Sequence, residues 1–462
     1  MPNPFEIRCL LRQQTPMIHF QHEHPDATLR ATELKAKLDK FIFKKLEKQY
    51  KEKADRDAFW AAHPHWKVGN GKSEHDALDY KLRVTPALSW TQPIEIPKVR
   101  DNQIDLDRNG KPKLDNYPGF FGNLGDEHEQ ETEKKFRFAT EPIPVTIFCL
   151  HDDLRDYIKT HLPEFFYSHT FGTRQSKGFG AFKLVSLDGL EKLPAHMSIF
   201  RFQVTVNDQD LGRFIDQYGI RFPGKKIDRE TAKEWLQQKQ LFEHIELFHK
   251  SIRSGYNHQN PGYYQKSILF KYFRDPAQNI QWDKKSIKLS LFKRELDAQV
   301  SDYPKSDVLL FSDHTPDRLS TNGRRFLVRD LLGLASESDW GKEFGNQKVE
   351  KTNEVIQRFK SPITYKPHRL NEQTFLVHIL VNPIEKQFFN KTFKIKVKGQ
   401  NSPVLDLDTP ERFSLVDYFK YFTTDSFQVR DLMEEPNKPQ LQKIIQMHES
   451  LKSNYKSSVT KP

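Results

Sequence analysis

The sequence predicts an α+β fold of two ferredoxin-like (RRM-like) modules, the first carrying a long insertion. Three observations carry that reading. Residues 5 to 187 run strand–helix, then strand–helix–loop–strand, with the insertion between the two halves. A second alternating strand at Ile199 to Val206 restarts the pattern. The length of 462 residues exceeds one ordinary compact core. The first module is assigned to 1–195 and the second to 196–462.

Phe5, Ile7, Cys9 and Leu11 alternate with polar neighbours, as in a half-buried strand. A helix follows from about Thr32, where Leu34, Leu38, Phe41, Leu46 and Tyr50 recur at near-helical spacing. The Thr32 hydroxyl is placed to cap it. Residues 55 to 142 form the irregular insertion, with Trp60, Trp66, Trp90, some strands near 80 to 100 and an acidic patch at 126 to 133. Its tryptophans fit either a docking surface or a local mini-core. Val145 to Leu150 is a buried-type strand. Asp152 or Asp153 opens a helix carrying Leu154, Tyr157, Ile158 and Leu162, and Ala181 to Leu187 is the next strand.

In the second module, helices are expected at 208 to 218 and at 228 to 253. Tyr264 to Phe273 and Ile287 to Phe292 read as strands or short buried segments. Phe375 to Val381 and Phe393 to Val397 are strong strands, and the last 25 or so residues form a polar helix and tail. No repeat of 20 to 50 residues is present.

Lys plus Arg number 73 against 62 acidic residues, a net charge of +11 that favours a polyanionic partner. Aromatic residues make up 12% of the chain, 36 of them Phe, which argues for filled cores rather than disorder. The two cysteines, Cys9 and Cys149, have no zinc spacing, and with no signal peptide they suggest a reducing cytoplasm. No apolar run approaches the length needed to cross a bilayer. No cofactor is called for. Gly71-Lys72-Ser73 is not a phosphate loop, because Trp66 stands where the earlier glycine is required.

The most informative stretch is Gly172-Thr173-Arg174-Gln175-Ser176-Lys177-Gly178-Phe179-Gly180. Glycines allow a tight turn and close approach. Arg174 and Lys177 bring charge, and Thr173, Gln175 and Ser176 bring neutral donors, a mixture suited to a phosphate backbone. A basic surface turn would read the same way.

This loop resembles the glycine-rich loop of the RAMP superfamily, the RNA-binding subunits of CRISPR effector complexes. Thr15-Pro16-Met17-Ile18 resembles that family's step at the end of its first strand, with Thr32 and Lys35 at the matching helix-opening positions. The usual glycine-rich strand end is replaced by His19-Phe20-Gln21-His22. Arg358-Phe359-Lys360-Ser361-Pro362-Ile363, with Arg329-Asp330-Leu331-Leu332-Gly333-Leu334 upstream, is similar to the second half of the large two-domain RAMP subunit of type III-B (Cmr) complexes.

The resemblance implies a non-catalytic subunit that binds CRISPR guide RNA, and a guide–target duplex, near the guide's 3′ end beside other type III effector subunits. It points to RNA contact by Thr173, Arg174, Gln175, Ser176 and Lys177, by Thr32, Lys35 and Lys37 at a helix start, and by Arg253, Lys366 and Arg369. Charged helix faces and turns are the plain alternative for these cations. Tyr256, Tyr263 and Tyr264 would stack on bases or pack beneath a loop, and Gly323-Arg324-Arg325 is a further basic turn.

Two enzymatic alternatives stay open. His19, His22 and His24, beside Glu23 and Asp26, could serve a metal-independent endoribonuclease that processes guide RNA, since imidazole titrates near working pH. Asp26 occupies the loop where target-slicing backbone subunits carry an aspartate. No metal site is expected, since neighbours on an extended segment point apart.

Overall fold

The computed structural model describes residues 3–18, 29–71, 77–86, 90–91, 99–100, 103–104, 106–110, 113, 136–187, 200–206, 216, 221–222, 225–226, 229–259, 262–274, 287, 291, 326–339, 347–399 and 404–459. The chain divides into two compact units. One comprises Met1–Ile245 with Thr364–Leu380, the other Glu246–Ile363 with Val381–Pro462.

The principal strands are β1 (Glu6–Gln13), β2 (Lys81–Val84), β3 (Ile143–Phe148), β4 (Phe182–Leu187), β5 (Arg201–Thr205), β6 (Tyr256–Gln259), β7 (Gly262–Gln265), β8 (Glu337–Asp339), β9 (Lys348–Thr352), β10 (Ile363–Arg369), β11 (Thr374–Val381), β12 (Thr392–Val397) and β13 (Leu405–Asp408). The helices are α1 (Ala31–Gln49), α2 (Lys53–Ala62), α3 (Asp152–Ser168), α4 (Arg229–Arg253), α5 (Ile268–Arg274), α6 (Leu415–Thr423) and α7 (Pro439–Val459). The expected α+β mixture is present, with antiparallel sheets.

In the first unit, β2-β3-β1-β4 form a four-stranded sheet. Ile7 lies opposite Ile147, and Cys9 opposite both Val145 and Leu187. Strand side chains alternate between faces, so Ile7, Cys9 and Leu11 point one way. Leu34, Leu38 and Ile42 of α1 and Leu154, Ile158 and Leu162 of α3 recur at three- to four-residue steps and join them in one buried cluster. A second sheet, β5-β11-β10, buries Phe202, Val204, Phe375, Val377 and Ile379.

The second unit holds the sheet β8-β9-β12-β13 and the hairpin β6–β7. Its least expected feature is a buried ion pair: Lys351 Nζ meets Asp330 Oδ2 at 2.6 Å, both side chains nearly inaccessible. Paired this way, the charges avoid the large penalty of an isolated buried ion. The Ser251 hydroxyl meets His448 Nε2 at 2.9 Å beneath α7.

Several local expectations are corrected. Thr32 does not cap α1: the helix starts at Ala31 after Arg30, with no side-chain cap, and Thr32 is exposed in the first turn. The stretch from Tyr264 to Phe273 is strand only to Gln265 and then helix. Ser267 Oγ accepts from the Phe270 N–H at 3.2 Å and starts α5, which buries Ile268, Leu269 and Phe273. The final helix is polar in composition, yet it buries Leu441, Ile444, Ile445, Met447 and Leu451. In the insertion, Trp66 is 3% exposed within the first unit's core, and Trp60 packs on Phe43 and Phe59. The described tryptophans of the insertion therefore pack into and against the first unit's main core rather than forming a mini-core of their own, while the Trp90 side chain lies outside the described residues. So does the expected helix at 208 to 218, apart from Asp216.

Candidate nucleic-acid interface

The glycine loop rests on a rigid base made by the Thr15-Pro16 step. The Thr15 hydroxyl donates to the Gly178 carbonyl at 2.7 Å and accepts from the Ala181 N–H at 3.0 Å. The Gly180 N–H donates to the Pro16 carbonyl at 2.9 Å. Thr15 is fully buried, as are Phe171, Phe179 and Phe182, and the Phe179 ring stacks on Phe242 at 4.1 Å. Two motifs far apart in sequence thus become one joint. A valine at Thr15 keeps the shape but leaves two buried backbone groups unpaired. Thr15→Val is expected to cost about 2–4 kcal/mol in urea unfolding, and Thr15→Ser about 1 kcal/mol. Equal losses in the two variants would show that the hydroxyl is not what holds the loop.

The loop itself is less open than its composition suggests. The Gly172 N–H donates to Glu33 Oε1 at 3.0 Å, and Gln175 Nε2 reaches the same oxygen at 3.3 Å. A carboxylate of the chain therefore stands at an N–H that an anion could otherwise use. The Lys177 and Gly178 N–H groups return to the carbonyls of Arg174 and Gln175. Arg174 adopts a left-handed conformation (φ 58°), and partial burial lowers its pKa. Thr173, Gln175, Ser176 and Lys177 are half-buried. On its far side the loop joins β10: the Tyr365 N–H donates to the Ser176 carbonyl at 3.1 Å.

The remaining cations have defined partners. Lys35 pairs with Asp39 at 3.0 Å, donates to the Leu78 carbonyl and lies over the Tyr80 ring. Lys37 pairs with Glu33 at 2.8 Å and donates to the Thr170 carbonyl. Arg253 holds Asp330 and the carbonyls of Arg329 and Gly333 in the second unit. Arg369 pairs with Glu234 at 2.5 Å and contacts Gln237.

Lys366 is fully buried, and its ammonium donates to the Phe166 and His169 carbonyls at the end of α3. Burial drives its pKa well below the ordinary lysine value. This is a helix C-terminus satisfied by a cation. Tyr263 is buried and stacks on His258 at 4.5 Å. His19, His22, His24, Asp26 and the Gly323-Arg324-Arg325 turn lie outside the described residues.

Sequence reasoning passed over a buried cluster beside the loop. The Tyr167 hydroxyl bonds to His378 Nδ1, and the Tyr167 ring stacks on His368 at 5.0 Å. Burial, then the neighbouring cations, lowers the His378 pKa to about 3 and that of His169 to about 4. The available signal was a lone histidine inside the apolar run Phe375-Leu376-Val377-His378-Ile379-Leu380.

Among the described residues, no group of three or more His, Cys, Asp or Glu is arranged to hold a metal ion. No described helix is long and apolar enough to cross a membrane.

Comparison with known proteins adds independent findings. The Cmr1 N-terminal domain matches residues 5–256, and the Cmr1 C-terminal domain matches residues 264–447. No curated protein matches the chain significantly. Among solved structures, the chain is similar to one in a cryo-EM structure of the type III-B Cmr-beta bound to cognate target RNA and AMPPnP in the presence of single-stranded DNA. That match has 11% identity and a TM-score of 0.31, covering 82% of this chain and 96% of the other.

Proposed function

The chain belongs to the Cmr1 family, the large two-domain RAMP subunit of type III-B (Cmr) CRISPR effector complexes, and from that premise we propose that it binds guide RNA without cutting it. It would hold the guide near its 3′ end, alone or paired with target, in a cytoplasmic antiviral ribonucleoprotein beside other type III subunits. The observation that carries this reading is the Thr15-Pro16 joint, which presents Arg174 and Lys177 on a loop braced by buried aromatic residues. A braced loop loses little conformational entropy on binding.

We also propose that the chain is built from two elaborated ferredoxin-like modules with sequence boundaries at 1–195 and 196–462, a division along the sequence distinct from the two compact units. The order β2-β3-β1-β4, with α1 after β1 and α3 after β3, supports this for the first.

Changing Arg174 and Lys177 together to alanine is expected to weaken binding about equally across RNA sequences, since phosphate contacts carry no base information. The slope of log affinity against log salt should fall by roughly 1.4 to 1.8. An unchanged slope in a filter-binding titration would remove the loop as a contact. Incubation with guide precursor and target RNA, with and without Mg²⁺, is expected to leave both intact. Specific products lost on changing His19, His22 or His24 would move the assignment to an endoribonuclease, and products lost in Asp26→Ala to a slicing subunit.

A further inference from the structure

The sheet β2-β3-β1-β4 packs α1 and α3 against one face, and its register defines what the other face carries. Arg83, Thr146 and Arg8 form one row across β2, β3 and β1, and Lys81, Phe148 and Glu6 form the next. Arg12 of β1 lies directly opposite Lys183 of β4. Because successive side chains alternate, these residues point away from the buried Ile7, Cys9 and Leu11.

Arg12, Lys81 and Arg83 are exposed, Lys183 is half-buried, and the Arg8 side chain is 62% exposed. Among the described strand residues this face therefore holds five cations and one carboxylate, Glu6, which pairs with Arg8 at 2.7 Å. Like charges directly opposite each other, as Arg12 and Lys183 are, destabilise a sheet. An anion laid across them would reverse the sign of that term.

The face also carries aromatic surface. Phe148 is on an inner strand, and its ring lies 6.2 Å from that of Phe5, a 40% exposed residue in the turn just before β1 that strand alternation does not orient. Leu10, opposite Pro144 in the row beyond Arg8 and Thr146, is 38% exposed. Cations around a pair of accessible rings on a flat sheet suit unpaired bases, which stack on aromatic faces while their phosphates meet the charges. A duplex offers no base faces to such a surface.

We infer that this open sheet face is a second RNA-binding surface. It takes an unpaired strand, with bases on Phe5 and Phe148 and phosphates on Arg8, Arg12, Lys81, Arg83 and Lys183. The inference rests on the proposed RNA-binding role but not on the glycine loop.

The test uses the full-length protein and a 20-nucleotide oligouridylate containing 4-thiouridine. Photocrosslinks on the wild type are expected in the peptides spanning residues 5–12 and 143–148. The triple change Arg12→Ala, Lys81→Ala, Arg83→Ala should lower the salt slope by about 2 and weaken binding at least tenfold. Phe5→Ala should weaken binding about fivefold or more at unchanged salt slope.

Wild-type crosslinks confined to other peptides would overturn the inference, even if a variant failed to fold. So would sheet variants that bind the oligonucleotide normally but no longer join partner subunits, since the face would then belong to a protein. Weakened binding in the Arg174/Lys177 variant, with the sheet crosslinks retained at saturating oligonucleotide, would support the inference independently. Normal binding in that variant with sheet crosslinks retained would count against the loop alone.

Discussion

Gly180→Ala is expected to destabilise the first unit by at least about 3 kcal/mol and to abolish the loop's structure. Gly180 sits at φ +64°, where a β-carbon is already disfavoured, and that carbon would lie 1.9 Å from the Phe171 carbonyl oxygen. Neither partner can yield easily. The Phe171 N–H donates to the Gly180 carbonyl at 2.9 Å, and Phe171 is fully buried against Phe165, Phe166 and Phe182. Gly69 provides the control. It has the same φ of +64°, but a β-carbon there meets nothing within 4 Å. Gly69→Ala should cost only the conformational term, about 1–2 kcal/mol. Urea midpoints for the two variants separate the effects, and equal losses would sink the close-contact argument.

Acid is expected to unfold the protein well above the range where carboxylates titrate. His169 protonates in the folded chain only near pH 4, and His378 and His448 only near pH 3, because burial disfavours their charged forms. Unfolded, all three take up protons near 6.5. Between those values the unfolded state binds more protons, so stability falls as pH falls. The loss is about 1.4 kcal/mol per pH unit for each imidazole that must stay neutral. The window runs from about pH 6.5 down to about pH 4. Asp153 and Asp425, held below the usual carboxylate value, act only beneath it. Urea midpoints should therefore drop steeply between pH 6.5 and 5. His378→Gln, which keeps an acceptor for the Tyr167 hydroxyl, should flatten the dependence by about 1.4 kcal/mol per pH unit. A midpoint constant from pH 7.5 to 5 would contradict the buried, neutral assignment.

The legible parts of this protein were those written in local pattern. Alternation over Phe5 to Leu11 placed β1, and helical spacing from Leu34 to Leu46 placed α1. The Tyr264 to Phe273 stretch was legible as buried but not as helix, because a short apolar run fits strand and helix equally; it is strand to Gln265 and helix from Ile268, with Ser267 accepting from the Phe270 N–H at its start. The glycine loop and the Thr15-Pro16 step were each visible, but not the bond between them, which spans 163 positions.

By itself the sequence determined the family resemblance, the mixed helix and sheet, and the conformational demand of the loop glycines, because glycine chemistry and side-chain periodicity act over a few residues. Only the tertiary structure decided what each cation faces. Lys366 and Lys177 look alike in sequence, yet one lies fully buried on the carbonyls at the end of α3 and the other is half-buried in the glycine loop. A charge carries no record of its partner until distant segments are packed, and the penalty for burying it is set by that packing.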